Sequence, residues 1–451
     1  MDVKLQVEQY REEMIKDLAT LVSYNSELDE SDPKYPFGLE NARCLEAALQ
    51  IFENYGFKTT NLENYCGYGE VGSGEKLIGI LGHMDIVPVG EGWDSDPLTL
   101  TQRDGKLFAR GSSDDKGPVI AALYALRILM DNKVEFNKRI RLIVGSNEET
   151  GSKCLAHYVE KEGHIDYGFT PDGAFPGIHG EKGHISGTFF GKTSSILAIE
   201  GGVAKNVVCA KVKATLKKDS FNIEILKEFL EKNKLTITFD VNENVDVEVK
   251  GVSAHAAGPQ QGINAFSYLM VGLKEAGMND LFVDAYNQVI GLDTNGEKAH
   301  VQVSDEYGAL TLNVGVVKKE NDEISFTMDI RYPVTLSYEP LIERLNASCA
   351  IDGCHLEDVS GKSPLFYDPQ SPMIQSLLSA YHKVTKDYDA KPFTIGGGTY
   401  SQGINNCIAF GGGFPGAEDT HAHDANEFIT IDHLLLQTEI YVEAILNLLA
   451  L

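Results

Sequence analysis

Residues 77–85 read Leu77-Ile78-Gly79-Ile80-Leu81-Gly82-His83-Met84-Asp85, a short apolar run that stops abruptly at a histidine and a carboxylate. Apolar residues at 77, 78, 80 and 81 suit a strand buried on both faces of a largely parallel sheet. Gly82 is expected to let the chain turn, so that His83 and Asp85 leave at the carboxyl edge, where open α/β sheets bind ligands. Two residues apart on extended backbone, they point the same way. A carboxylate beside a histidine orients the ring and raises its basicity, as a metal ligand requires. The pair alone would equally describe a buried histidine satisfied by its neighbour.

Outward from this stretch, strand and helix alternate. Helices are expected over 2–22 and 41–55, the second with Ala42, Leu45, Leu49 and Phe52 on one face and Gly56 as its stop. The segment Phe108-Ala-Arg-Gly-Ser-Ser-Asp-Asp-Lys-Gly-Pro118 leads into an apolar helix, with Pro118 in its first turn. Arg139–Gly145 reads as another buried strand ending in Asn147-Glu-Glu-Thr-Gly151, and a further strand closes on Pro171-Asp172-Gly173. This alternation implies a doubly wound α/β domain with a mixed, largely parallel sheet. From 185 to 365 the style changes to an inserted α+β domain. Its expected strands are Ile185–Phe190, Val207–Thr215, Val245–Val249 and Ser325–Asp329, and its expected helices Ile223–Lys232, Gly262–Glu275 and Pro340–Ala350. The first style returns from 366 to 451, through Ile395-Gly-Gly-Gly-Thr-Tyr400 and a loop with His421 and His423 to a closing helix, Ile431–Leu449. The division is therefore 1–184 and 366–451 for the first domain, and 185–365 for the insert.

The whole chain excludes several classes. It has 451 residues and a net charge of −27, which disfavours nucleic acid and anionic membrane as partners. No run approaches a membrane span, and Met1–Thr20 lacks the apolar core of a signal peptide. Seven scattered cysteines, odd in number and without a CxxC, suit free thiols in a reducing cytoplasm.

Four expected strand ends thus carry metal-type side chains: His83 with Asp85, Asp114 with Asp115, Glu148 with Glu149, and Asp172. The late loop adds His421 and His423. A single aspartate at such a place is usually a turn or cap residue. Several converging on one sheet edge would repel one another unless cations were bound. A mixed histidine and carboxylate set without clustered cysteine suits Zn²⁺ or Mn²⁺. Cys349, Cys354 and His355 lack a fourth ligand at sensible spacing. Trp93 reads as a packing residue at the rim.

The combination of GHMDIVP (82–88), ARGSSDDKGP (109–118), NEETG (147–151), PDG (171–173) and HDANE (423–427) resembles the M20-type co-catalytic metallopeptidases. These include carboxypeptidase G2, aminoacylase and the dinuclear dipeptidases. GVSAHAAGPQQGINA (251–265) and MDIRYP (328–333) extend the likeness into the insert. DDKGP, the long insert and GGGTY bring it nearest the monomeric, PepV-like bacterial dipeptidases. The resemblance implies that Asp114 bridges two divalent ions, with a cis peptide to Asp115. His83 and Asp172 would complete one ion, and Glu149 and His423 the other. Asp85 would support His83, and Glu148 would be the general base. The family's His-x-x-Asn/Asp-Glu pattern selects His423 over His421. From the insert, which would act as a lid, His255 would donate to the oxyanion and Arg331 would grip the substrate's terminal carboxylate. Asn206 and the glycines around Gly397 would assist. Relatives often carry arginine shortly after GGGTY; here Ser401 and Gln402 stand there. The implied protein is a monomeric cytoplasmic dipeptidase holding two ions, Zn²⁺ first, with Mn²⁺ or Co²⁺ also compatible. N-acyl amino acid deacylation and a non-catalytic metal-binding scaffold are the alternatives.

Overall fold

The computed structural model describes residues 2–451. The chain divides into two units: one of the residues up to His179 with Tyr367–Phe393 and Gly398–Leu451, the other of Gly180–Phe366 with Thr394–Gly397.

In the first unit, six strands lie in the order Lys58–Leu62, Cys66–Val71, Arg139–Gly145, Leu77–His83, Tyr167–Thr170, Cys407–Ala409. The last four are mutually parallel; Cys66–Val71 pairs antiparallel with Arg139–Gly145, and Lys58–Leu62 antiparallel with Cys66–Val71. Every residue of Leu77–His83 is buried. Ile78 and Ile80 belong to the core formed with helices Val3–Val22, Lys116–Asp131 and Ile431–Leu449. Leu77 and Leu81 belong to a second cluster with Leu155 and Tyr158 of helix Lys153–Glu162. The continuous apolar run is thus the signature of a strand covered on both sides, each such side chain contributing about 1.5–3 kcal/mol by burial. Gly82 does not make the expected turn; it lies within the strand. A Cβ there would come within 2.2 Å of Val119 Cγ2 and 2.5 Å of Asp115 Oδ2, so glycine is needed for close approach of the following helix. Asp114 and Asp115 also differ from expectation. The strand before them, Lys106–Phe108, belongs to a separate three-stranded sheet, and the two aspartates sit at the start of helix Lys116–Asp131.

The second unit is an eight-stranded sheet, antiparallel throughout, in the order Thr236–Val241, Asn244–Lys250, Lys211–Lys217, Ile196–Gly201, Thr311–Glu320, Glu323–Tyr332, Gly183–Lys192, Cys354–Lys362. Along Lys211–Lys217 exposed and buried positions alternate. Val212, Ala214 and Leu216 share a core with Leu226 and Leu230 of helix Ile223–Lys232 and Phe266 of helix Ala265–Glu275. That is how an antiparallel sheet with one solvated face reads. The strand expected from Val207 begins later, because Val207 makes only an isolated bridge, to His255.

Candidate metal centre

Three of the acidic motifs leave the carboxyl ends of adjacent parallel strands: His83 ends Leu77–His83, Glu148 and Glu149 follow Arg139–Gly145, and Asp172 follows Tyr167–Thr170. His83 Nδ1 is 3.0 Å from the Asp85 carbonyl oxygen, to which it can donate, and this turns Nε2 toward Asp114 Oδ1, also 3.0 Å away. The other oxygen of Asp114 is 2.9 Å from His423 Nε2, and that nitrogen is 3.2 Å from Glu149 Oε2. Asp114 therefore stands between two imidazoles, one oxygen to each. The peptide bond between Asp114 and Asp115 is cis.

Three groups of possible ligand atoms converge within 4.8 Å: His83, Asp114 and Asp172; Asp114, Glu149 and His423; His83, Glu148 and Glu149. The first two share Asp114. His421 belongs to none of them among the described residues; its N–H binds Asp419 Oδ1 and its ring lies near Phe428.

Asp85 does more than support His83. Its two carboxylate oxygens accept the backbone N–H groups of Glu148 and Glu149, each at 3.0 Å, and so brace the loop that presents both glutamates. Sequence spacing gave no sign of this, because the contact joins loops after two neighbouring strands.

The electrostatics are those of a site built for positive charge. Burial, with Asp114 adding, holds Asp172 well above the usual carboxylate range. Burial also pushes Glu148 up to about 7, Glu149, Asp85 and Asp114 adding to the effect and His83 opposing it. Burial alone would depress His83, but Asp114 and Asp85 outweigh it and hold the imidazole well above its ordinary value. Hydrogen bonds to Asp114 and Glu149 raise His423 to about 10. The cluster is a crowded set of carboxylates and imidazoles whose donor types fit divalent cations.

Within the second unit, Asn206, His255, Arg331 and Gly396 come together. The carbonyl of Asn206 accepts from Ala256 N at 2.9 Å, which sets the loop bearing His255. His255 is exposed, and its Nδ1 accepts the Ala257 N–H at 3.2 Å. Partial burial and the nearby Arg331 charge lower its pKa, and because Nδ1 accepts, the neutral ring carries its proton on Nε2. Arg331 is held by Asp329, Nε to Oδ1 at 2.6 Å and Nη2 to Oδ2 at 3.0 Å, and its Nη1 donates to the Gly396 carbonyl at 3.1 Å. Of five guanidinium N–H groups, one on each terminal nitrogen remains. His184 stands behind, its Nε2 3.1 Å from Asp329 Oδ2. His184 matched no motif; its signal is the pairing register, which sets it opposite Arg331. A Cβ on Gly397 would meet no atom closer than 4.0 Å, so the space beside it is open. Trp93 donates Nε1–H to the Val89 carbonyl at 2.6 Å and packs against Arg110.

The chain and its fold resemble known proteins. The family described as Peptidase family M20/M25/M40 matches residues 79–447, and the chain belongs to it. The protein is therefore a hydrolase of the peptidase class. A Staphylococcus haemolyticus protein named "Putative dipeptidase SH1171" is 34% identical over 466 residues, covering 99% of each chain. Human carnosine dipeptidase 1 shares the fold, with a TM-score of 0.58 at 17% identity over 100% of this chain and 98% of that one. So does the Bacillus subtilis YXEP protein, described as a dinuclear metal-binding peptidase of family M20, with a TM-score of 0.54 at 11% identity over 98% and 99% of the two chains.

Proposed function

We propose that this protein is a dinuclear metal-dependent dipeptidase that cleaves short peptides with free termini, Xaa-Xaa and β-Ala-Xaa among them. The observation that carries this reading is Asp114, one oxygen toward His83 and the other toward His423. In this reading His83, Asp114 and Asp172 hold one ion, and Asp114, Glu149 and His423 the other, Zn²⁺ first with Mn²⁺ or Co²⁺ as alternatives. Bound there, a pair of cations supplies Lewis acidity to the scissile carbonyl and to the attacking water.

The chain's own residues do the rest. Glu148 takes the proton of the attacking water and passes it to the leaving amine nitrogen. Asp85 keeps Glu148 in place through its backbone N–H. His255 donates its Nε2–H to the developing oxyanion. Arg331 gives its two remaining N–H groups to the substrate's terminal carboxylate, a fork suited to that shape, with Asn206 and Gly397 beside it. The relatives' dipeptidase names and their end-to-end match support a substrate of this size. Buried thiols at Cys44, Cys66, Cys154, Cys209 and Cys349 support a reducing compartment, and we place the protein in the cytoplasm as a monomer.

The test is hydrolysis of a free dipeptide, its N-acetyl derivative and the matching tripeptide by metal-loaded enzyme. The free dipeptide alone should be cleaved. Preference for the N-acetyl compound would make the protein a deacylase, and silence on all three with each metal would leave a binding scaffold. With Arg331→Ala, kcat/KM for the dipeptide should fall about 100-fold, as loss of a charge-assisted fork implies, while the C-terminal amide is cut as before.

A further inference from the structure

Glu427 lies just beyond His423 and reaches back to a loop far earlier in the chain. Its side chain is buried, and it accepts four hydrogen bonds. Oε2 takes Arg110 Nη1 at 2.8 Å and Gly111 N at 3.0 Å; Oε1 takes Ser113 N at 2.8 Å and Asp114 N at 3.1 Å. All four neighbours are donors, so the group is an ionised carboxylate that only accepts. The Glu427 carbonyl also receives the Ala109 N–H, at 3.2 Å. Arg110 in turn directs Nη2 to the carbonyls of Pro88 and Val89, 3.4 Å from each, and packs on Trp93. One buried ion pair, 2% and 1% exposed, thereby ties together the loops that bear Asp85, Asp114 and His423.

We infer that Glu427 is a positioning residue for the shared carboxylate of the metal centre. By holding the backbone N–H of Asp114 while sitting on the His423 loop, it fixes the spacing between Asp114 and His423, two of the three residues assigned to the second ion. This rests on the two-ion reading above. A glutamine of the same shape cannot replace it. Either oxygen of Glu427 faces two donors, so the amide NH₂ would oppose an N–H pair whichever way it turned.

The experiment is titration of chelated full-length protein with Co²⁺, followed by calorimetry and the visible spectrum of the bound ion, on wild type, Glu427→Gln and Phe52→Leu. The last is a core change that lowers stability without touching the site. Wild type should take up two ions. Glu427→Gln should keep the first and bind the second at least about tenfold more weakly, the range seen when outer groups around a metal are removed, with an altered spectrum; Phe52→Leu should bind both as wild type does. Two ions bound by Glu427→Gln with wild-type affinity and spectrum would overturn the inference and leave the metal reading standing. No Co²⁺ bound by wild type would overturn both, and equal weakening in Phe52→Leu would reduce Glu427 to a general stabiliser. Should Glu427→Gln not fold, the same titration of Arg110→Lys decides. That variant keeps the cation but loses the fork, and wild-type binding of both ions by it would also refute the role.

Discussion

The two units use charge in opposite ways. In the parallel part of the first sheet both faces are covered, so Leu77–His83 is apolar until its last residue. Arg139–Gly145 is apolar after Arg141, which pairs with Glu70 and Glu162, and the metal-type side chains lie at the carboxyl ends. That region is buried and crowded: His83, Asp85 and Asp115 are at most 3% exposed. In the antiparallel sheet one face is solvated, and polar side chains appear at every second position, as in Lys211, Lys213, Thr215 and Lys217. Its buried ion pair projects from within a strand. Arg331 and Asp329 lie two apart on one strand, and His184 sits across from Arg331 on the next. A site of the first kind is found by asking where strands stop, and one of the second kind by asking which residues are in register.

The sharpest way to break this comparison is at a strand end. Glu148→Gln should lower kcat about 1000-fold, within the range for loss of a positioned general base, while two metals per chain are still bound by elemental analysis. Full activity would remove Glu148 from the mechanism. The alternation in the second unit is tested by a pair on one strand. Leu216→Ala should cost about 2–5 kcal/mol in denaturant unfolding of that unit, whereas Lys213→Ala should stay within about 0.5 kcal/mol. Equal effects would mean that the solvated face is covered.

The smallest effect concerns pH and the chelated protein. Glu148 is raised from 4.5 to about 7 on folding. The folded state thus binds the extra proton more tightly, so this contribution is present in full below pH 4.5 and is lost as pH rises through 7. The melting temperature of the metal-free protein should therefore decline from pH 5 to 8, the loss being smaller in Glu148→Gln. An unchanged slope in the variant would assign the decline to other groups.

How much of this was legible follows from the same contrast. The strands Leu77–His83 and Arg139–Gly145 could be read because their apolar runs are local and end in conspicuous motifs. The helices Ile223–Lys232 and Ile431–Leu449 were equally plain, each with an apolar stripe. Cys354–Lys362, by contrast, is a sheet-edge strand with little apolar pattern, and nothing local announced it. The residues expected at the metal centre were visible as motifs, but what braces them was not. Asp85 reaches the Glu148 and Glu149 amides, and Glu427 those of Gly111, Ser113 and Asp114, across separations that no window of sequence spans. Gly82 was misread as a turn because a glycine needed for close packing and one needed for bending look alike in sequence.

The split of the first unit around the second bears on how the chain is made. Emerging from the ribosome, residues 180–366 are complete before Cys407–Ala409 and Ile431–Leu449 exist to close the sheet and cover it. Domains fold as units during synthesis, and pairings between distant segments form late. The second unit can thus be finished while the first still waits for its last strand, its last helix and His423. A chain cut short before that point would carry His83, Asp114 and Glu149 without the loop whose His423 meets Asp114 and Glu149 in the folded protein.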